Sequence, residues 1–420
     1  MTVQVYRGTS PIAVNATASD PRAVHALQEI SHPPAELNGP TRIEVVPARE
    51  VSPEICADWD DLAEHASTPN VFYERWNMEP AIRHLSPVED LQLVLVYRRG
   101  TKPDSVQRLC GLIPLIQQRS GRLSPSAWRL WGHPYAYLRT PLLRAGHERA
   151  VLDAAFDWLE QLPRGPRLLD WPLVDGEGPF ARTMTDLLLE RGLVWTHVER
   201  HTRAMLQRET DWESAAATQL SSHHRRELRR LHRRLSEQGQ LTLRTISRPQ
   251  DCGYWTHIFL ELERSGWKGT HETAIASQPA SKAYFEELIS NASAAGKLQM
   301  LGLFLNGEPI ALKLNLLTQS GGFACKIAYD EQFSRFSPGI QLEIENIRML
   351  HNETALDWMD SCAVANHSMI NRLWSGRRAI DRLQISLGGL RTNLRVGGRS
   401  LGKAVKRSLT RQTPHPIARD

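Results

Sequence analysis

The sequence predicts an α+β chain built from two similar units, each a mixed, mostly antiparallel sheet flanked by helices. Three observations carry this reading. Alternating apolar runs of strand length recur between amphipathic helical runs along most of the chain. The run "LQLVLVYRRG…RLCGLIPLI" is echoed two hundred residues later by "LQMLGLFLNGEPIALKLNLL". "RLLDWPLV" and "ALDWMDS" echo each other as well, each after a helix, and self-similarity at such a period marks two copies of one unit.

Taken in order, residues 1–42 are rich in Pro, Ala, Ser and Thr without a sustained period and are expected to be disordered. "TRIEVVPA" then alternates as a strand. Helices follow at "ICADWDDLAEHA" and "NVFYERWNMEPAIRHL", and two β-rich runs around a polar loop read as a hairpin. After "WRLWGHPYAYLRTPLL" come the helix "ERAVLDAAFDWLEQL", the strand "RLLDWPLV", the helix "ARTMTDLLLERG" stopped at Gly192, and the strand "LVWTHVERHTRAML". This first unit spans 43–208. An Arg-rich connecting helix occupies 209–240.

The second unit, 241–388, repeats the order. "LTLRTI" is a strand, and two helices stop at Gly266 and Gly296. A hairpin turns at Asn306-Gly307, a pair suited to the positive φ angles of a tight turn. Then "FACKIAYDEQFSRFSPGIQLEIENIRML" runs from strand through a polar turn into a helix. "ALDWMDS" is a strand, "HSMINRLWSGRRAI" a helix and "DRLQISL" the last strand. Residues 389–420 form a basic tail, expected to be flexible.

Composition excludes several classes. The chain has 420 residues, 41% hydrophobic and 23% charged, which is ordinary for a protein with a real core. No apolar run reaches the roughly 18–20 residues of a membrane helix. The first residues lack the basic-then-apolar order of a signal peptide, so a cytoplasmic location is expected, with peripheral attachment to the inner membrane as an option. The five cysteines are scattered, which argues against a disulfide framework, and no metal site is expected. The net charge of +5 is uneven: residues 389–420 carry +7 and residues 219–248 carry +6, leaving −8 for the remainder. Both basic segments invite a partner that bears phosphate.

The strand–turn–helix stretch holds the densest chemistry. A helix N-terminus exposes unpaired N–H groups and about half a positive charge, which suits a pyrophosphate. Ser337 is placed to cap this helix, Pro338 suits its first turn, Gly339 lets a ligand approach the backbone, and Ile340 follows. Arg335 and Lys326 add charge nearby. A capped helix without any ligand fits the same residues.

The residues "K-I-A-Y-D-E-x-F-x-x-x-S-P-G", with "LELERSGWKG" and the Arg-rich "HHRRELRRLHRRL", resemble the CelD-like acyltransferases of the GNAT superfamily, relatives of the FemABX peptidoglycan transferases. The resemblance covers roughly residues 43–388. It implies tandem GNAT-like domains, acyl-CoA as co-substrate and an amine-bearing acceptor in the cell envelope, a polysaccharide or a small metabolite. It also implies that the strand–turn–helix step holds the donor. Pro338-Gly339 departs from the usual Gln/Arg-x-x-Gly-x-Gly/Ala phosphate signature of that superfamily. The first unit lacks S-P-G at the matching place and reads "YLRTPLLRAGHERAV", so its copy is expected to be structural.

Amine attack on a thioester needs a proton acceptor and donors for the oxyanion. Asp330 and Glu331, at the strand end, are the candidate bases, and Tyr329 is a candidate proton donor to the leaving thiolate. Trp267, Lys268, Lys313 and Asp360 are candidate acceptor contacts. Cys362 with His367 lacks the surroundings of a thiol nucleophile. In the 223–235 segment, Arg pairs at 225/226, 229/230 and 233/234 stack on one helical stripe opposite Leu228, Leu231 and Leu235. This stripe suits a solvated face, a CoA phosphate, tRNA or an anionic membrane surface. In the tail, Leu401, Val405 and Leu409 share a face that would suit a membrane surface. A FemABX-like transferase using aminoacyl-tRNA and a non-catalytic scaffold in exopolysaccharide or envelope assembly are the competing readings.

Overall fold

The structure, a computed structural model, describes residues 37–85, 90–102, 105–119, 125–219, 221–246, 248–266 and 274–399. The first part of the chain forms β1 (Thr41–Pro47), α1 (Pro53–Glu64), α2 (Arg75–His84), β2 (Leu91–Arg99), β3 (Gln107–Gln118), β4 (Ala127–Leu130), β5 (Leu142–Leu143), α3 (Glu148–Gln161), β6 (Leu168–Asp175), α4 (Gly178–Glu190) and β7 (Trp195–Gln207). After α5 (Trp212–Gln219) and α6 (Ser222–Ser236) come β8 (Leu241–Thr245), α7 (Cys252–Ser265), α8 (Pro279–Ala294), β9 (Leu298–Leu305), β10 (Glu308–Leu317) and β11 (Gly321–Tyr329). Then follow α9 (Pro338–Asn352), β12 (Trp358–Asp360), α10 (Ile370–Leu373) and β13 (Gly376–Ser386).

All these strands join one sheet in the order β1-β2-β3-β4-β6-β13-β7-β12-β11-β10-β9-β8, with β5 beside β3. Pairing is antiparallel except at two places, β4 against β6 and β11 against β12. The order is a palindrome about the β13–β7 pair: each unit has three antiparallel pairs, one parallel pair, and a last strand that belongs in sequence to the other unit. β7 leaves the first unit to pair with β12, and β13 returns from the second to pair with β6. The spans 43–208 and 241–388 therefore exchange their final strands, and neither closes its own half of the sheet.

Charge fixes this exchange. Arg203 of β7 lies directly opposite Arg378 of β13. Like charges in that position repel. Asp360 of β12 sits against both, accepting from Arg203 at 2.7 Å and from Arg378 at 3.1 Å, and Asp175 of β6 accepts from Arg378 at 3.1 Å. All four side chains are buried. Burial alone would raise the Asp360 carboxyl, but the two guanidiniums and the Cys362 N–H outweigh it and hold it below the usual carboxylate range. Asp175 has one guanidinium, and there burial prevails and raises its pKa.

The units also share one apolar core on the sheet face that carries α1, α2, α7 and α8. Phe72 meets Phe323 edge-on at 5.3 Å, and the Tyr284 hydroxyl donates to Asn77 at 2.9 Å. The opposite face is divided. α3 and α4 cover the first unit, and α6 and α9 cover the second.

Local chemistry explains most element ends. Ser52 caps α1 through the Ile55 N–H, with Pro53 at its first position. Asn306 and Gly307 both have positive φ, as their turn requires. Four expectations need correction. The helix expected from Asn70 starts at Arg75, because the Asn70 amide is committed to the Phe72 N–H and to the carbonyls of Leu138 and Thr140. The helix expected over 367–380 is the single turn α10, and the last strand begins at Gly376 because "GRRAI" pairs with β7. Leu37 is buried and Gly39 bonds Arg99, so order begins before residue 43. Residues 390–399 of the expected flexible tail are helical, with Val396 buried and Ser386 donating to Asn393. The rest of the tail, with Leu401, Val405 and Leu409, and residues 1–36 lie outside the described residues.

A second buried network anchors α9 to the sheet. Lys313 of β10 donates to Glu343 at 2.7 Å, Glu343 accepts from Asn346 at 3.0 Å, and Asn315 donates to Asn346 at 2.7 Å.

Two predictions follow from these networks. Asp360→Ala leaves two opposed guanidiniums without their shared carboxylate and should cost about 3–5 kcal/mol, read as a lower urea midpoint. The native Asp360 carboxyl titrates below its unfolded value of about 3.9. Its contribution is thus full above that pH and lost as pH falls through the native value, so Asp360→Asn should show no such acid-side loss. Lys313→Met should destabilise by a similar 3–5 kcal/mol, and adding Glu343→Gln should restore most of it, as a double-mutant denaturation cycle would show.

Candidate functional site

The two parallel pairs are where the sheet opens. β11 pairs with β12 only over Gly321–Phe323, against Trp358–Asp360. Beyond Phe323, β11 continues beside β10 alone, while the chain after β12 turns towards β7 through the Ser361 N–H bonded to Ala204. One edge of β11 from Ala324 to Tyr329 is thus left without a strand partner among the described residues. Cys325 is the extra residue of a bulge in that stretch, since Leu314 faces Lys326 and Asn315 faces Ala324.

On one face of this edge lies the N-terminus of α9. The 3₁₀ turn Glu331–Phe336 leads into it, and Ser337 takes a left-handed conformation with φ 53°. The expected Ser337 side-chain cap does not form. Its carbonyl instead accepts from the N–H groups of Ile340 and Gln341. Pro338 is buried at the first helical position. Gly339 serves close packing: a Cβ there would lie 3.3 Å from Tyr329 and 3.6 Å from Ile327. Its N–H has no protein acceptor among the described residues. Tyr329 lies beneath this glycine, and the Ile340 side chain packs into the core below α9. Arg335 is exposed, its guanidinium 4.7 Å over the Phe336 ring.

α6 runs beside this turn. His232 bonds the Gln341 side chain at 3.0 Å, Leu235 is buried and Leu228 packs on the α9 core. Arg226, Arg229, Arg230, Arg233 and Arg234 are exposed on the other side. The amphipathic reading of this helix is therefore realised, and its basic face flanks the α9 N-terminus.

On the opposite face of β11 lies a cavity of about 20 Å³, room for one water-sized group, at the seam of the two units. Phe72, Tyr135 and Tyr137 line it from the first unit, and Tyr284, Phe285, Leu288, Leu314, Leu316, Cys325 and Lys326 from the second. Tyr135 stacks on Tyr284 with ring centroids 5.5 Å apart. The Lys326 ammonium lies 5.2 Å over Tyr135 and 3.5 Å from the buried carboxylate of Glu263, whose other oxygen accepts the Ile275 N–H at 2.8 Å. Burial pushes the Tyr137 and Tyr284 hydroxyls well above their ordinary pKa, so both stay protonated. A larger cleft of about 610 Å³ lies between α7 and α8, but it includes no residue of β11 or β12.

The first unit has the same opening, between β4 and β6, and fills it. Residues 131–141 take the place of a continued β4: the Arg139 N–H bonds Leu173, Arg203 donates to the Tyr137 carbonyl at 2.6 Å, and the Tyr73 hydroxyl donates to the Trp131 carbonyl. The loop that fills this gap delivers Tyr135 and Tyr137 to the seam.

Several residues singled out from the sequence have other duties. Lys313 is committed to Glu343 and Asp360 to the arginine pair, so neither contacts the cavity. Lys326 points to the seam, away from α9, because the bulge turns it over. The Asp330 carboxylate caps the 3₁₀ turn by accepting the Gln332 N–H at 2.9 Å. Glu331 is exposed near Gly266. Trp267 and Lys268 lie outside the described residues. Glu263, Phe72, Tyr135, Tyr137 and Tyr284 were not singled out, although the aromatic density of "WGHPYAY" in a loop was a signal. Among the described residues no cluster of His, Cys, Asp and Glu could hold a metal ion, and no helix is long and apolar enough to cross a membrane.

Residues 222–366 match the family model described as an acetyltransferase (GNAT) domain. No curated protein matches the chain. A conserved protein of unknown function from Bacteroides thetaiotaomicron VPI-5482 superposes with a TM-score of 0.51 at 12% identity, over 83% of this chain and 100% of its own. FemX superposes with a TM-score of 0.51 at 9% identity, over 81% of this chain and 96% of its own. A tandem GNAT protein from the clavulanic acid biosynthesis pathway is similar at 15% identity over 83% and 99%, with a TM-score of 0.40. The second half of the chain thus carries a GNAT acetyltransferase domain, and the α+β fold as a whole is similar to that of FemX.

Proposed function

We propose that the chain is an N-acyltransferase that carries an acyl group from acyl-CoA to an amine bound in the seam cavity. The observation that carries this reading is the unpartnered edge of β11, which has a phosphate-suited helix N-terminus on one face and, on the other, an aromatic cavity with room for the reacting amino group alone. The residues present fit the donor. The Gly339 N–H is open, Arg335 and the α6 arginines supply positive charge, and a free strand edge offers hydrogen bonds to an extended amide chain. When bound, acyl-CoA supplies the activated thioester carbonyl.

The chain's own residues do the rest. Aromatic walls around a buried carboxylate favour an ammonium, as the Lys326 side chain already illustrates. Glu263 does not line the cavity but lies 3.5 Å from Lys326, which does, and through that pair it takes the proton that the acceptor ammonium must lose before it can attack. Backbone N–H groups at the Cys325 bulge are the candidate oxyanion donors, and the protonated Tyr137 and Tyr284 line the same cavity as Cys325. The first unit, its own opening filled, contributes walls and no donor site.

A second reading, an aminoacyl transferase using tRNA, is favoured by the exposed arginine face of α6 beside the α9 N-terminus. It calls for tRNA binding that weakens steeply with salt and is lost in Arg229→Ala/Arg230→Ala. Acyl-CoA binding that survives those substitutions supports the first reading, and binding of neither ligand leaves a scaffold.

With acyl-CoA and a primary alkylamine as substrates, Glu263→Gln should lower kcat roughly 10²- to 10⁴-fold with CoA affinity unchanged by calorimetry. Asp330→Asn should stay close to wild type, since that carboxylate caps a turn. Equal losses in the two variants would return the base to the end of β11.

A further inference from the structure

A partly buried arginine is expected to have acceptors, because its five donors cannot be neutralised by losing a proton. Where β4 pairs with β6 two guanidiniums meet one carboxylate, and a third lies within its field. Asp170 of β6 accepts twice from Arg382 at 2.8 Å and lies 3.6 Å from Arg129 of β4. Asp170 is buried, whereas Arg129 and Arg382 keep about a third of their side chains exposed to solvent. Glu199 lies at the rim beside Arg382.

The third guanidinium, Arg139, has no acceptor and no ion pair among the described residues, and its Nε is buried. It lies against Gly132, where a Cβ would fall 2.2 Å from Nε and 2.5 Å from Cζ, so the chain makes room for it with the one residue that allows the approach. Burial lowers its pKa, and the charges of Arg129 and Arg382 press the same way against Tyr73 and Asp170. Beside it His133 is 3% exposed with both ring nitrogens unpartnered. Burial, with the Arg139 charge adding, pushes that ring down to about 3, so it stays neutral and offers one donor and one acceptor.

We propose that Arg139, with Arg129 and Arg382 as its charged neighbours, is an anion-binding site of the first unit that takes the oxygens of a phosphate or a carboxylate group. The fork of Arg139 supplies the unfilled donors, and the two neighbouring arginines, already held by Asp170, supply field. The site is separate from the α9 N-terminus and does not depend on the chain being a transferase. It sits on the loop that carries Tyr135 and Tyr137 to the seam, so an anion bound here would also steady one wall of that cavity.

The test is thermal denaturation of the full chain in chloride, in inorganic phosphate and in acetate at matched ionic strength, with no donor or acceptor present. Wild type should gain roughly 2–5 °C in at least one of the two anions, and which one does so tells phosphate from carboxylate. Arg139→Gln should lose that gain and melt no lower than wild type in chloride, because an unpaired charge has been removed. Arg42→Gln, which alters an exposed arginine paired with Glu44 on β1, should keep the gain. Should Arg139→Gln not fold, Arg139→Lys, which keeps the charge without the fork, should show a smaller gain than wild type. No gain in wild type, or equal gains in wild type and the Arg139 variant, would overturn the proposal.

Discussion

Two arginines face each other across the middle of the sheet, and the rest of the molecule is arranged around keeping them there. Arg203 and Arg378 are cross-strand neighbours on β7 and β13, the two strands that the units exchange. Such a pair is repulsive by itself. It is tolerated because Asp360 and Asp175 come from the strands flanking the exchange. Each unit thus supplies charges to the other's boundary. A buried ionic network is weak evidence for stability, because hydrophobic packing of the same volume can do as well. It is better evidence for register. A slip of either strand by one residue would place a guanidinium where no carboxylate awaits it.

The same network reaches the functional seam. Arg203 also donates to the Tyr137 carbonyl, so the loop that fills the first unit's opening is tied to the centre of the sheet. Two equivalent openings therefore have opposite fates. Between β4 and β6 the gap is filled by residues 131–141. Between β11 and β12 nothing among the described residues continues β12 along the edge, and β11 keeps open N–H and C=O groups. The duplication has become a division of labour: one copy keeps the opening, and the other spends it on aromatic side chains that wall the first.

Electrostatics divides the faces of β11. The α9 side is positive, through the helix end, Arg335 and the α6 arginines. The seam side is aromatic, with Glu263 and Lys326 as its charged pair. The proposed transfer from an anionic donor to an amine rests on this strand edge between a cationic face and an aromatic one, and the bulge at Cys325 is what turns Lys326 to the seam.

Residue order alone established a good deal. The alternation of "TRIEVVPA", the Asn306-Gly307 turn, the stripe of α6 and the strand–turn–helix of residues 323–350 were legible because each is set by neighbours in sequence: period, turn chemistry and capping are local. The GNAT resemblance was legible for the same reason, since it rests on short runs of residues. What was not legible is everything that depends on a partner hundreds of residues away. No local pattern distinguishes Lys313 facing Glu343 from Lys313 facing solvent, or shows that Asp330 caps a turn while Glu263 pairs with Lys326. The bulge at Cys325, which decides the face on which Lys326 appears, needs the register of β10. The strand exchange needs the whole sheet, because β7 and β13 read as ordinary last strands until their pairing is seen. The chain's sequence therefore determined its elements and the GNAT domain of its second half, and only the tertiary structure decided which side chains share a site, because a site is a coincidence of distant residues enforced by packing and charge.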